Sequence, residues 1–332
     1  MYNVNIFIRK KSLSNHHSVE RFANTLKKTK YKKKFKINIL KCPVSSKGFF
    51  RRLYLIFWSY FNQGDINHIL GDINFISIFM DKNKTINTFL DCRLLDKFIG
   101  LRLLVYKYFW FKIPTNISKK ITYISNFTKT SIEKKLELKV KNSEVIPVPL
   151  VDNLKFQVNK NKKKKVLIVG TSENKNIRNM VVSLKNLDIS LTIIGKIKKE
   201  IKNLCLTNNI HYKNLVDISN NKIRNIYANN DILLMVSKYE GFGMPIIEAQ
   251  SSGTVVITSN IEPMKSIVGD KGLTVNPNRP DKIRIKIKKL INSRDYFLKK
   301  IKIGKLNSTK YNSKKINKIY FKLYSDILKN EN

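Results

Sequence analysis

Two glutamates with seven residues between them, Glu240 and Glu248, bracket the run Gly241-Phe242-Gly243-Met244-Pro245. An ionised carboxylate only accepts hydrogen bonds and can take two hydroxyls at once, so such a pair suits a sugar and a ribose. The residues between them suit a phosphate. Gly241 and Gly243 let the backbone approach a ligand closely, and Pro245 fits a first helical position, where its missing N–H would be unpaired anyway. The open amides of that helix start favour a phosphate or diphosphate. The plainer alternative is a tight turn between two solvated carboxylates.

These residues need elements to hold them. Directly upstream, Asp231-Ile232-Leu233-Leu234-Met235-Val236 is an apolar run of strand length, giving the order strand, glycine loop, helix. Other strands are predicted at 166–169, 191–194 and 255–258, with helices near 176–187, 197–207, 220–227 and 245–251. The first half shows the same grammar, with strands at 4–8, 35–39, 66–69, 85–89, 121–124 and 144–146 and helices at 18–28 and 128–136. Alternation of this kind predicts mostly parallel sheets under covering helices. Pro147, Pro149 and the polar stretch 151–165, ending in the four consecutive lysines Lys162 to Lys165, predict a linker between two such layers. Two doubly wound sheets in series would receive a ligand at the carboxyl ends of their strands.

The segment from Ser237 to Ala249, with Gln250 to Asn260 and Val268-Gly269-Asp270 downstream, resembles the Glu-x7-Glu signature of glycosyltransferase family 4, retaining enzymes of the GT-B fold. The resemblance implies an α/β protein with two Rossmann-like domains facing across a cleft. It divides the chain into an acceptor-side domain, 1–155, joined by a returning C-terminal helix at 313–328, and a nucleotide-sugar-binding domain, 160–310. It also implies that Glu240 contacts the donor sugar and Glu248 the ribose, with Gly241, Phe242, Gly243 and Met244 in the donor loop. Val166 to Thr171 and Asn174-Lys175-Asn176 are similar to the family's second donor segment, which adds Gly170, Thr171 and Lys175, the lysine reaching the diphosphate. Read alone, Lys175 is equally an ordinary surface lysine. Members often carry arginine where this chain has Thr171.

The first half is similar over His68 to Asp72, Thr85 to Cys92 and Ser125-Asn126-Phe127-Thr128, which names His68, Asp91 and Ser125 as acceptor-side candidates. His68 reads more readily as a buried, hydrogen-bonded structural histidine, and Ser125 reads equally as a helix cap. Relatives end the second strand in Thr-x-His-Asp, whereas this chain has Leu90 for the histidine, and leucine neither hydrogen-bonds nor moves a proton. The Pro-Glu common before Val-Gly-Asp is here Lys265-Ser266. The implied activity is transfer of a sugar, with retention, from a nucleotide-diphosphate donor to a growing surface glycan or lipid-linked acceptor. The donor is a co-substrate, and neither cofactor nor metal is expected. A catalytically silent homologue that binds glycan or a partner transferase is the alternative that Leu90 leaves open.

Composition sets the bounds. The chain has 332 residues, 42% hydrophobic and 27% charged, as expected of a folded protein. A formal charge of +42 raises nucleic acid as a partner, but the lysines are spread over every kind of element and no nucleic-acid-binding motif is present, so none is expected. Cys42, Cys92 and Cys205 lie too far apart for a disulfide framework or zinc motif. The chain opens on strand-like residues without a signal segment and contains no long apolar span, so the expected place is the cytoplasm, with peripheral contact on the inner face of the cell membrane left open. The aromatic and basic segments 49–60 and 101–112 read either as interfacial helices or as core helices with snorkelling cationic ends.

Overall fold

The computed structural model describes residues 1–10, 18–28, 34–150, 154–159 and 164–329. The chain forms two compact units, one of Met1–Pro149 with Ser313–Asn332 and one of Leu150–Asn312. Each is an α/β layer structure built on one parallel sheet of six strands. Of the expected linker 151–165, residues 151–153 and 160–163 lie outside the described residues, and 154–159 are extended. That extended piece is laid along the second unit, where the Gln157 amide donates to the Ser252 carbonyl at 3.0 Å. Gly253 makes the contact possible, since a Cβ there would come within 2.3 Å of the Gln157 carbonyl oxygen.

In the first unit the strands are β1 (Tyr2–Ile8), β2 (Phe35–Lys41), β3 (Ile66–Leu70), β4 (Thr85–Phe89), β5 (Lys120–Tyr123) and β6 (Ser143–Val145), in the order β2-β1-β3-β4-β5-β6. One face of the sheet, with Phe7, Ile69, Phe89, Ile121 and Tyr123, packs on helices that contribute Leu55, Ile56, Trp110 and Ile132. The helix Ser313–Lys329 covers the other face, burying Ile316, Tyr320, Tyr324 and Ile327 at helical spacing.

Strands buried on both faces normally read as unbroken apolar runs. β3 and β4 do not, because Asn67, His68, Asn87 and Thr88 are all fully buried within them. Buried polar groups need internal partners. Register supplies them: Leu70 lies opposite Thr88 and Thr88 opposite Thr122, so His68, Thr88 and Thr122 share one face. His68 Nε2 is 2.7 Å from the Thr88 hydroxyl, which lies 2.6 Å from that of Thr122. His68 Nδ1 meets the Tyr324 hydroxyl at 2.7 Å, and the Tyr320 ring stacks on the imidazole at 5.3 Å. Burial pushes the His68 pKa down to about 3, so the ring stays neutral.

In the second unit the strands are β7 (Lys164–Val169), β8 (Ile189–Ile194), β9 (Tyr212–Leu215), β10 (Ile232–Met235), β11 (Val255–Ser259) and β12 (Leu273–Val275), in the order β12-β11-β10-β7-β8-β9. From β7 the chain steps outward through β8 and β9, then returns to lay β10 on the opposite side of β7. The crossovers from β7 and from β10 therefore leave in opposite directions, opening a crevice at their carboxyl ends.

Tyr324→Phe removes a hydroxyl from a fully buried network and should lower unfolding stability by about 1–3 kcal/mol, measured by denaturant titration. The His68 contribution is also pH-dependent. An unfolded imidazole takes a proton near pH 6.5 and the folded one only near 3, so the stability it contributes is complete above about 6.5 and is lost as the pH falls toward 3. Wild type should lose stability more steeply over that window than His68→Asn, and parallel slopes would mean that the folded ring titrates normally.

Candidate functional site

Around the carboxyl ends of β7 and β10 lie Gly170, Lys175, Glu240 and the loop Gly241 to Met244, residues that the resemblance assigns to a donor. The fully buried strand β10 leads into Ser237-Lys238-Tyr239-Glu240, and the turn closes at Gly243. Gly243 sits at φ 103°, ψ 43°, a left-handed conformation that only glycine adopts readily. From it starts the helix Met244–Ser252, with Pro245 in its first turn. Every residue of that helix except Pro245 is buried, so its start is fixed by packing on all sides. Of its first-turn residues Pro245 has no amide hydrogen and the Ile246 amide donates to the Gly243 carbonyl at 2.9 Å, which leaves the Met244 amide without a partner inside the helix.

β7 supplies the facing wall. Gly170, directly after it, has φ 89°, and the Lys175 side chain runs across the space where a Cβ would be, with Cε only 2.9 Å from that position. This passage brings Lys175 Nζ to Glu240 Oε1 at 2.6 Å, the two side chains being 15% and 12% exposed. A charge pair this sheltered is far less screened than one at the surface. Residues 65 apart in sequence, from the loops after two different strands, thus form one dipolar unit beside the helix start.

Asparagines brace this arrangement. The Asn174 side chain donates to the Tyr239 carbonyl at 2.9 Å, while its own carbonyl accepts from the Lys238 amide at 2.8 Å. Asn176, held left-handed at φ 58°, donates to the carbonyls of Val236 at 3.0 Å and Pro277 at 2.7 Å. Asn179 adds a bond to Pro277 at 3.0 Å. Sequence reasoning quoted Asn174 and Asn176 only as neighbours of Lys175. Asparagine on both sides of a lysine in a loop was the available signal, because its short amide both tolerates left-handed backbone and ties adjacent strands' loops.

The other candidates divide. Glu248, 1% exposed on the helix after Gly243, accepts from the Tyr227 hydroxyl at 2.9 Å. Phe242 is buried edge-on against Tyr311, and Met244 is buried beside it in sequence. Gly241 is half-buried in the loop. The Thr171 hydroxyl donates to the Lys196 carbonyl at 2.8 Å and occupies the room left by Gly195, so it serves the loop after β8. In the first unit His68 is sealed in the core, both ring nitrogens engaged. Ser125 caps the helix Asn126–Leu136, accepting from the Thr128 amide at 3.0 Å. Asp91 is exposed and accepts from the Arg93 amide at 3.1 Å.

Two parallel six-stranded α/β sheets in series, with a glycine loop and helix start at the switch point of the second unit, make this a GT-B fold. Residues 151–314, nearly all of them in the second unit, match the family model described as Glycosyl transferases group 1. Over 225 residues the chain is 27% identical to a glycosyltransferase of Methanocaldococcus jannaschii, covering 65% of this chain and 63% of that one. An O-antigen chain mannosyltransferase of Salmonella typhimurium is 29% identical over 184 residues, or 52% of this chain and 51% of the relative. The chain therefore spans between half and two thirds of the length of these relatives. Among solved structures, Anabaena HepE in complex with UDP and glucose superposes with a TM-score of 0.78 at 12% identity, covering 98% of this chain and all of that one.

Gly170→Ala tests how the lysine is seated. The left-handed backbone alone should cost about 1–2 kcal/mol, read as a lowered thermal midpoint, and the added methyl should drive Lys175 off Glu240. A midpoint equal to wild type would mean that this turn relaxes freely.

Proposed function

We propose that the chain is a retaining glycosyltransferase of family 4, moving a sugar from a nucleotide-diphosphate donor to a growing surface glycan of the polysaccharide, O-antigen or lipopolysaccharide type. One observation carries this reading: the sheltered Lys175–Glu240 pair stands beside the glycine loop that leads into the Met244–Ser252 helix, at the switch point of the second unit. In this reading 160–310 is the donor-binding domain and 1–155 with 313–328 the acceptor-side domain. The similarity to the O-antigen chain mannosyltransferase of Salmonella typhimurium and the UDP in the HepE complex support the substrate classes.

The chemistry follows from charge. Breaking the bond between the sugar's anomeric carbon and the diphosphate leaves negative charge on the phosphate oxygens and positive character on the sugar ring. The ammonium of Lys175 and the Met244 amide at the start of the Met244–Ser252 helix meet the first, in a sheltered site where such interactions strengthen. Glu240 holds the sugar's hydroxyls, and its carboxylate lies where the ring becomes cationic. Lys175 and Glu240 keep each other ordered before a donor arrives, so little rearrangement remains for the transition state. Glu248, one turn into the helix, takes the ribose.

A second reading, the silent homologue, draws on Leu90, half-buried directly after β4 in place of a proton-transferring residue. The donor-side machinery does not depend on that position, so the enzyme reading stands as the conclusion.

Lys175→Ala should lower transfer about 100- to 1,000-fold, the scale for losing one charge-stabilising donor in a sheltered site. Glu248→Gln should chiefly weaken nucleotide binding, by about tenfold, while Glu240→Gln chiefly lowers turnover. The measurements are thermal shift against a panel of nucleotide sugars and transfer to extracted lipid-linked acceptors. Wild type and Leu90→His should both turn over. Absence of transfer by either protein with donor and acceptor bound would favour the silent homologue.

A further inference from the structure

The helix Phe49–Phe61 of the first unit is apolar on two sides. Leu55 and Ile56 are buried against the sheet together with Ser59. On the opposite side Phe49, Phe50, Tyr54, Phe57 and Phe61 are exposed, Phe50 at 83% and Phe61 at 78%. At 100° per residue these five fall within roughly 140° of the helix surface, a continuous exposed stripe that the likewise exposed Phe79 extends, its ring 5.7 Å from that of Phe57. The segment Gly100–Lys112 repeats the arrangement. Tyr106, Trp110 and Phe111 point into the core, whereas Leu101, Leu104 and Phe109 stand outside, Leu101 at 77%. Both segments pack on the same face of the same sheet, and the Arg52 guanidinium bridges them 4.9 Å above the Trp110 ring. A globular helix normally shows one apolar stripe, not two.

Charge says what covers the second stripe. No aspartate or glutamate occurs between Lys41 and Phe61 or between Lys97 and Lys120, while Lys47, Arg51, Arg102, Lys107 and Lys112 do. Cations lie against rings at the border: Arg102 is 5.9 Å from the Phe98 centroid and Lys112 is 4.9 Å from that of Tyr108. Asp81, the acidic residue that follows Phe79, is paired with Lys84 at 3.8 Å. We infer that this face of the first unit docks on the surface of an anionic lipid bilayer. Phe50, Phe61 and Leu101 enter the headgroup boundary, and the arginines and lysines meet lipid phosphates. Among the described residues no helix is long and apolar enough to cross a membrane, so the contact is interfacial. A second copy of this chain is a poor occupant, because a two-fold interface sets this basic patch as a whole against an identical basic patch.

The test is co-sedimentation of the full chain with vesicles of phosphatidylcholine, with and without phosphatidylglycerol. Wild type should bind the anionic vesicles, bind neutral ones far less, and dissociate in high salt. Phe50→Ser with Leu101→Ser, at sites too exposed to disturb the core, should keep the wild-type thermal midpoint and lose at least about tenfold in partitioning. Arg51→Gln with Arg102→Gln should lose anionic selectivity. Equal binding by the serine variant, or no binding by wild type, overturns the inference. So does a dimer in vesicle-free solution that the serine variant abolishes. The inference does not rest on the proposed activity: vesicle binding by a protein without transfer would sink that reading alone.

Discussion

A parallel sheet cannot close its own ends. Every crossover has to leave from a carboxyl edge, and where the strand order reverses, two neighbouring crossovers diverge and leave their edge uncovered. In the second unit that place is the gap between β7 and β10. The residues there answer the resulting exposure of backbone: Gly170 and Gly243 adopt left-handed turns, the asparagines tie loop to loop, and an ion pair fills the remaining space. Loop geometry, helix direction and charge at the site all descend from that single topological fact.

Much of this was legible because it is local. The run from Asp231 to Gly253 announces strand, turn and helix through apolar length, glycine and proline, and the structure follows it residue by residue. Most core strands of both units show as short apolar runs for the same reason, β3 and β4 with their buried polar residues excepted. β9 and β12 gave no such signal. Tyr212-Lys213-Asn214-Leu215 lies at a sheet edge, where one side needs no apolar cover, and β12 is only three residues long. What the sequence lacked was pairing. That Lys175 lies over Gly170 to reach Glu240 depends on which strands adjoin, and no spacing in the chain encodes it.

His68 teaches the same lesson from the other side. Alone it is a titratable residue beside a loop, and the sequence favours a buried structural role without naming the partners that would fill it. Register turns it into a strut, since Thr88 and Tyr324 are aligned with it only once β3, β4 and the last helix have been assembled. The two aromatic segments likewise read as either core or interface, and each proves to have a buried face and an exposed one, a division visible only when the sheet beneath them is in place.

The helix Ser313–Lys329 completes the first sheet after the chain has already passed through the whole of the second unit. His68 and Tyr324 are 256 residues apart, and the Asn317 side chain reaches the Thr25 carbonyl across 292. During synthesis the second unit is therefore available in one uninterrupted piece, while the first has its apolar sheet face and a neutral histidine waiting for a partner that the ribosome has not yet made. Closing loops of that length is slow, and a waiting sheet face is a site of misassociation. The discontinuous unit is the one whose birth in a crowded cell most needs protection, and the uninterrupted unit can be finished before it.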